Sequence, residues 1–79
     1  MMSELVIYVN RSYHDSSIAK VYRAKGEGKM TIVIPQFVIL ESQGFSQLDQ
    51  RDITIALARE QASLLERAKT DDVRLELAI

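Results

Sequence analysis

One tract of the sequence holds every residue type of a serine-hydrolase triad: Ser12-Tyr13-His14-Asp15-Ser16-Ser17. A hydroxyl nucleophile needs an imidazole base and an orienting carboxylate, converging from a rigid scaffold beside an oxyanion hole. Consecutive residues on one short loop point in different directions instead. Ser and Asp side chains also bond their own backbone, so the tract is expected to be a solvated turn and not a catalytic site.

A second tract is basic. Lys20, Arg23, Lys25 and Lys29 surround Tyr22 and a glycine turn, Lys25-Gly26-Glu27-Gly28-Lys29. Cations flanking an aromatic ring suit RNA, which offers phosphates to the first and an unstacked base to the second. The same pattern also describes an edge hairpin kept soluble by lysines. Gly26-Glu27-Gly28 itself is too short for a dinucleotide fingerprint and has no lysine at P-loop spacing. Residues 35–58 can be drawn as a helix–turn–helix around Gly44-Phe45-Ser46. Its second helix would set Arg51 and Arg59 beside Asp49, Asp52 and Glu60, a mixture that opposes phosphate binding.

The carboxylate pairs, Asp49 with Asp52 and Asp71 with Asp72, read as helix-cap and helix-stop residues. One His and no Cys leave no zinc site, no disulfide and no thiol chemistry. Neither a cofactor nor a metal is expected, and the chain is expected not to be an enzyme.

The whole chain has 79 residues, enough for one domain. It carries 10 Lys+Arg against 11 Asp+Glu, a formal net charge of −1, which disfavours a generally basic nucleic-acid binder. The charge is unevenly spread. Up to Pro35, Arg11, Lys20, Arg23, Lys25 and Lys29 face Glu4, Asp15 and Glu27, a net +2; the remainder is net −3. A hydrophobic fraction of 47% places the chain among folding sequences. A core below about 70–80 residues seldom supplies more than a few kcal/mol, and disulfides, a metal or association usually supplement it. Association is the supplement left. The start of the chain does not read as an export signal, and Ile32–Leu40, interrupted by Pro35 and Gln36, is far shorter than the ~20 residues of a membrane span. A cytoplasmic location is expected.

Strands are expected over Glu4–Asn10, Ile18–Ala24 and Met30–Ile34, with the glycine turn joining the last two. The mixed polarity of Ile18–Ala24 suggests an edge strand. Pro35 should end the third strand. Residues 36–45 are either a short helix or, preferably, extended structure after a bend. Asp49 or Asp52 can cap one long helix running from about Asp52 to Thr70. Ile53, Leu57, Leu64 and Ala68 form one apolar stripe on it, and Ile55, Ala58, Ala62 and Leu65 a second. Together they span roughly 200° of the helix, wider than the stripe of an ordinary surface helix. Val73, Leu75, Leu77 and Ile79 alternate with Arg74, Glu76 and Ala78 as a final strand.

Over Ile18–Leu65 a hairpin leads to Thr31-Ile32-Val33-Ile34-Pro35-Gln36-Phe37, then Ser42-Gln43-Gly44, then an alanine-rich helix. This order resembles the HicB-like antitoxin domain. The resemblance implies a dimer that masks a toxin. A strand before Ile18, an insertion of about four residues before the helix and no DNA-binding tail after it depart from that pattern.

These readings combine into an α+β, small two-layer domain: a mostly antiparallel sheet, β-β-β-(β)-α-β, under one long helix. The expected function is a non-enzymatic interaction module that binds, inhibits or masks a macromolecular partner. It is expected to be a homodimer, of the kind carried by phages or mobile elements. Ile55, Ala58, Ala62 and Leu65 are the expected interface. RNA binding by Lys20, Tyr22, Arg23, Lys25 and Lys29 is the alternative.

Overall fold

The computed structural model describes residues 3–79. The elements are β1 (Glu4–Val9), β2 (Ser17–Arg23), β3 (Lys29–Ile34), β4 (Val38–Gln43), α1 (Gln47–Arg59), α2 (Gln61–Ala68) and β5 (Val73–Ala78). The strands form one antiparallel sheet in the order β4-β3-β2-β1-β5. Both helices lie on one face, so the α+β two-layer reading holds.

The alternation of each strand decides which face it buries. Leu5, Ile7 and Val9 of β1, Ala19 and Val21 of β2, and Met30, Ile32 and Ile34 of β3 point under the helices and are buried. Ile53 and Leu57 of α1 and Leu64 and Ala68 of α2 close the core from above, so the first apolar stripe read in the sequence is the packing stripe. Pro35, Gln36 and Phe37 (φ 56°) make a turn, and Val38–Gln43 after it is extended, as preferred, and forms β4. Pro35 follows the last residue of β3 and ends it.

Three details differ from the expectations. First, β2 is the central strand of five and not an edge. Its mixed polarity arises because one face of the sheet carries no helix. Second, the helix starts at Gln47, capped by Ser46, whose Oγ accepts from the Asp49 N–H while the Asp49 carboxylate accepts from the Ser46 N–H. This is a capping box with Asp at its fourth position, where Glu or Gln is usual, and it satisfies two otherwise orphan donors.

Third, the helix is not one rod. It breaks at Glu60 (φ −98°, ψ 2°), where the Glu60 N–H reaches back to the Leu57 carbonyl. Ala58-Arg59-Glu60-Gln61-Ala62 contains no helix breaker. A straight helix over 47–68 would run about 33 Å, against about 20 Å for six-residue strands. The bend keeps both buried pairs, Ile53/Leu57 and Leu64/Ala68, over the sheet.

Leu57→Ala should cost about 2–5 kcal/mol, because it leaves a hole between α1 and the sheet. Ser46→Ala should cost about 1 kcal/mol through the lost cap. Urea denaturation measures both. A loss below about 0.5 kcal/mol for Leu57→Ala, the range of ordinary surface substitutions, would contradict this packing.

Candidate functional site

The loop Asn10–Ser16, with its triad-type residues, is tied down structurally. The Arg11 N–H donates to Asp72 Oδ1 at 2.7 Å, and the Ser12 N–H donates to the Ala68 carbonyl at 2.7 Å, completing the C-terminal end of α2. The Ser12 and Ser17 hydroxyls bond each other at 2.8 Å. His14 and Asp15 sit at the turn with positive φ (51° and 62°), exposed, and the His14 ring lies against Tyr13. Among the described residues no hydrogen bond joins His14 to a hydroxyl or a carboxylate. The loop connects β1 to β2 and links both to α2.

Of the basic residues, Arg23 has a structural post. Its guanidinium lies 4.4 Å from the centre of the Phe45 ring and donates to the Gly44 carbonyl and to Asp49 Oδ2, both at 3.0 Å. It therefore joins the end of β2 to the loop that starts α1. Gly44 (φ +74°) is required there: a Cβ would meet the Glu27 carbonyl and Gly28 Cα at 3.0 Å. The Ser46 N–H above all, and Arg23 after it, hold the Asp49 carboxyl below its ordinary 3.8.

The other cations separate. Lys25 lies exposed in the β2–β3 turn. Lys29 approaches Glu41 of β4 at 3.7 Å. Lys20 and Tyr22 stand on the sheet face opposite the helices. There the strand register sets Lys20 beside Tyr8 of β1 and Tyr22 beside Val6. Arg74 of β5 is the other neighbour of Tyr8, and Glu76, bonded to Arg74 at 3.2 Å, the other neighbour of Val6. Arg74 is pushed above its ordinary value by the neighbouring Tyr8 and then by Glu76. Sequence reasoning left Tyr8 and Arg74 out of this group. The alternation of β1 and β5 was visible, but the pairing that places both beside β2 was not.

The expected interface residues divide between the two helices. Ile55 is 43% exposed, Ala58 and Ala62 are exposed on either side of the break, and Leu65 packs partly into the core. Ile55 also borders a shallow groove of about 270 Å³ with Ala56, Arg59 and Ile79.

A larger uncovered apolar surface lies elsewhere, on β4. Val38, Ile39 and Leu40 are 51%, 38% and 59% exposed. Val38 is registered beside Val33, which is registered beside Ile18, itself exposed. β4 is an edge strand, so one side of its backbone has no partner in the sheet. The register shifts between Thr31 and Ile32, leaving Leu40 as an extra, bulged residue between Ile39 and Glu41. The signal in the sequence was Phe37-Val38-Ile39-Leu40, an apolar run with no alternation.

Among the described residues no group of His, Asp and Glu side chains could hold a metal ion. Among the described residues no helix is long and apolar enough to cross a membrane. No family model matches the chain, and no curated protein or solved structure matches it either.

The Asp49 shift has a consequence for stability. A depressed folded pKa adds stability that is present above the unfolded value and is lost as pH falls through the folded one. The stability gap between the wild type and Asp49→Asn should therefore be open at about pH 6 and narrow as the pH is lowered below the ordinary 3.8 of the carboxyl. Urea titrations over this range check this, and a gap unchanged at low pH would contradict the assignment.

Proposed function

We propose that this chain is a non-catalytic protein-interaction module that pairs with a second copy of itself through β4. The observation that carries this reading is the edge strand with three uncovered large apolar residues, Val38, Ile39 and Leu40. Edge strands are usually blunted by lysine, proline, a bulge or an inward charge; β4 has the bulge at Leu40 but no lysine or proline within Val38–Gln43. The only charged residue of β4 is Glu41, which has Lys29 beside it, so the outer backbone and the apolar side chains are offered together.

Main-chain pairing to such an edge supplies affinity, and the alternate side chains supply selectivity. A two-fold axis through the middle of Ile39 would oppose Val38 of each copy to Leu40 of the other, and Ile39 to itself. Val38, Ile39 and Leu40 of each copy then meet apolar residues, while Glu41 lies opposite Phe37 at the end of the pairing. A small core also gains from the association, since burial in a chain of this size is limited.

The helix residues Ile55, Ala58 and Ala62 are the competing surface. They are smaller, and the break at Glu60 divides them. A toxin-masking role of the HicB-like kind would use the same dimer, but β4 binding to a copy does not depend on it.

Light scattering coupled to size exclusion tests the proposal. The wild type should have twice the chain mass, and Leu40→Lys and Val38→Lys should have the single mass with unchanged circular dichroism. Ala58→Glu and Ala62→Glu should remain double. A single mass for the wild type at all concentrations, or dissociation by Ala58→Glu with persistence in Leu40→Lys, would overturn it.

A further inference from the structure

The face of the sheet opposite the helices carries a group of residues that pairing through β4 does not use. Across it, the register lines up Arg74, Tyr8, Lys20 and Thr31 in one row. Val6, Tyr22 and Lys29 form the next. A shallow depression of about 580 Å³ lies over this area, bordered by Tyr8, Asn10, Lys20, Tyr22 and Arg74.

We propose that this depression binds single-stranded nucleic acid, with Tyr8 and Tyr22 stacking on bases and Lys20 and Arg74 contacting phosphates. The two rings sit on adjacent strands, 6.0 Å apart and inclined at 71°. Tyr8 is 44% exposed and Tyr22 half-buried, so each has support from the sheet and surface left to offer. Aromatic side chains on neighbouring strands of an uncovered sheet are a platform on which unpaired bases stack, largely without regard to sequence. Stacked, paired bases in a duplex do not present that surface.

Charge selects the same ligand. The carboxylates of this face lie on the two edge strands and at the start of β1: Glu41, Glu76 and Glu4. Glu41 lies by Lys29 and Glu76 by Arg74. Lys20 stands on the central strand beside Tyr8 and, among the described residues, is in no ion pair. Lys20 is therefore the free cation at the middle of the face, beside the two rings, and Arg74 lies at its β5 edge with Glu76 as partner. The site differs from the basic hairpin of the sequence: Tyr8 and Arg74 join it, Arg23 borders the depression while bonded to Gly44 and Asp49, and Lys25 is in the turn. It is separate from β4, and neither proposal needs the other.

Fluorescence anisotropy with labelled RNA and DNA oligonucleotides of about ten residues tests this, at low salt and across a salt series. The wild type should bind single strands in preference to duplex. Two phosphate contacts give a slope of about −1.4 in log affinity against log salt. Tyr8→Ser and Tyr22→Ser should each weaken binding by about 5- to 150-fold. Lys20→Ala should weaken it and flatten the salt slope by about 0.7, whereas Lys25→Ala should leave it unchanged. The monomeric Leu40→Lys variant should still bind. No anisotropy change with any oligonucleotide at low salt would overturn the proposal. So would equal losses in Lys20→Ala and Lys25→Ala, binding indifferent to both tyrosines, or loss of the double mass in Tyr8→Ser, which would give this face to a second copy.

Discussion

Two short helices, Gln47–Arg59 and Gln61–Ala68, have to cover a sheet of five strands, and they cover one face of it. That limit governs what the chain can do. The buried face holds Leu5, Ile7, Val21, Met30 and Ile32, whose side chains are withdrawn from any partner. The opposite face, the two outer strands and the outward sides of the helices remain. What those surfaces carry, apolar side chains on β4 and tyrosines with Lys20 at the centre, is therefore where function is to be sought.

The one-sided arrangement depends on where the helices begin. Arg23, at the end of the central strand, reaches the Asp49 carboxylate, the Gly44 carbonyl and the face of Phe45. Asp49 also closes the cap with Ser46. One cation thus fixes the end of β2, the loop after β4 and the first turn of α1 relative to one another. At the other end, the loop after β1 holds the end of α2 through Ser12 and the start of β5 through Asp72. Residues that resemble catalytic or nucleic-acid-binding groups in the sequence, Ser12 and Arg23, are structural for this reason.

The strands and the packing stripe were legible because alternation and helical spacing are local properties. Val73, Leu75 and Leu77 read as a strand at sight, and Ile53, Leu57, Leu64 and Ala68 as a buried stripe. The order β4-β3-β2-β1-β5 was not legible, since it depends on which strands meet. For that reason β2 looked like an edge and Tyr8 and Arg74 looked unrelated to Lys20. The break at Glu60 left no mark either, since no residue around it is a helix breaker. The helix start was misplaced by five residues because Asp49 and Asp52 resemble caps, whereas the cap is Ser46 and Asp49 is its reciprocal partner. For the candidate interface, the second helix stripe drew attention by its width. β4 was less conspicuous, because a run of apolar residues after a proline does not say which of them a neighbour will cover.

The central claim is that β4 is a working edge, and the hydrogen exchange of its backbone measures that most directly. Outward-facing amides of an unpaired edge exchange freely, whereas pairing protects them. The account requires protection within Val38–Gln43 that rises with protein concentration, while β5, the other edge, stays unchanged. Protection that is independent of concentration throughout β4, or that rises instead across Ile55–Leu65, would contradict it.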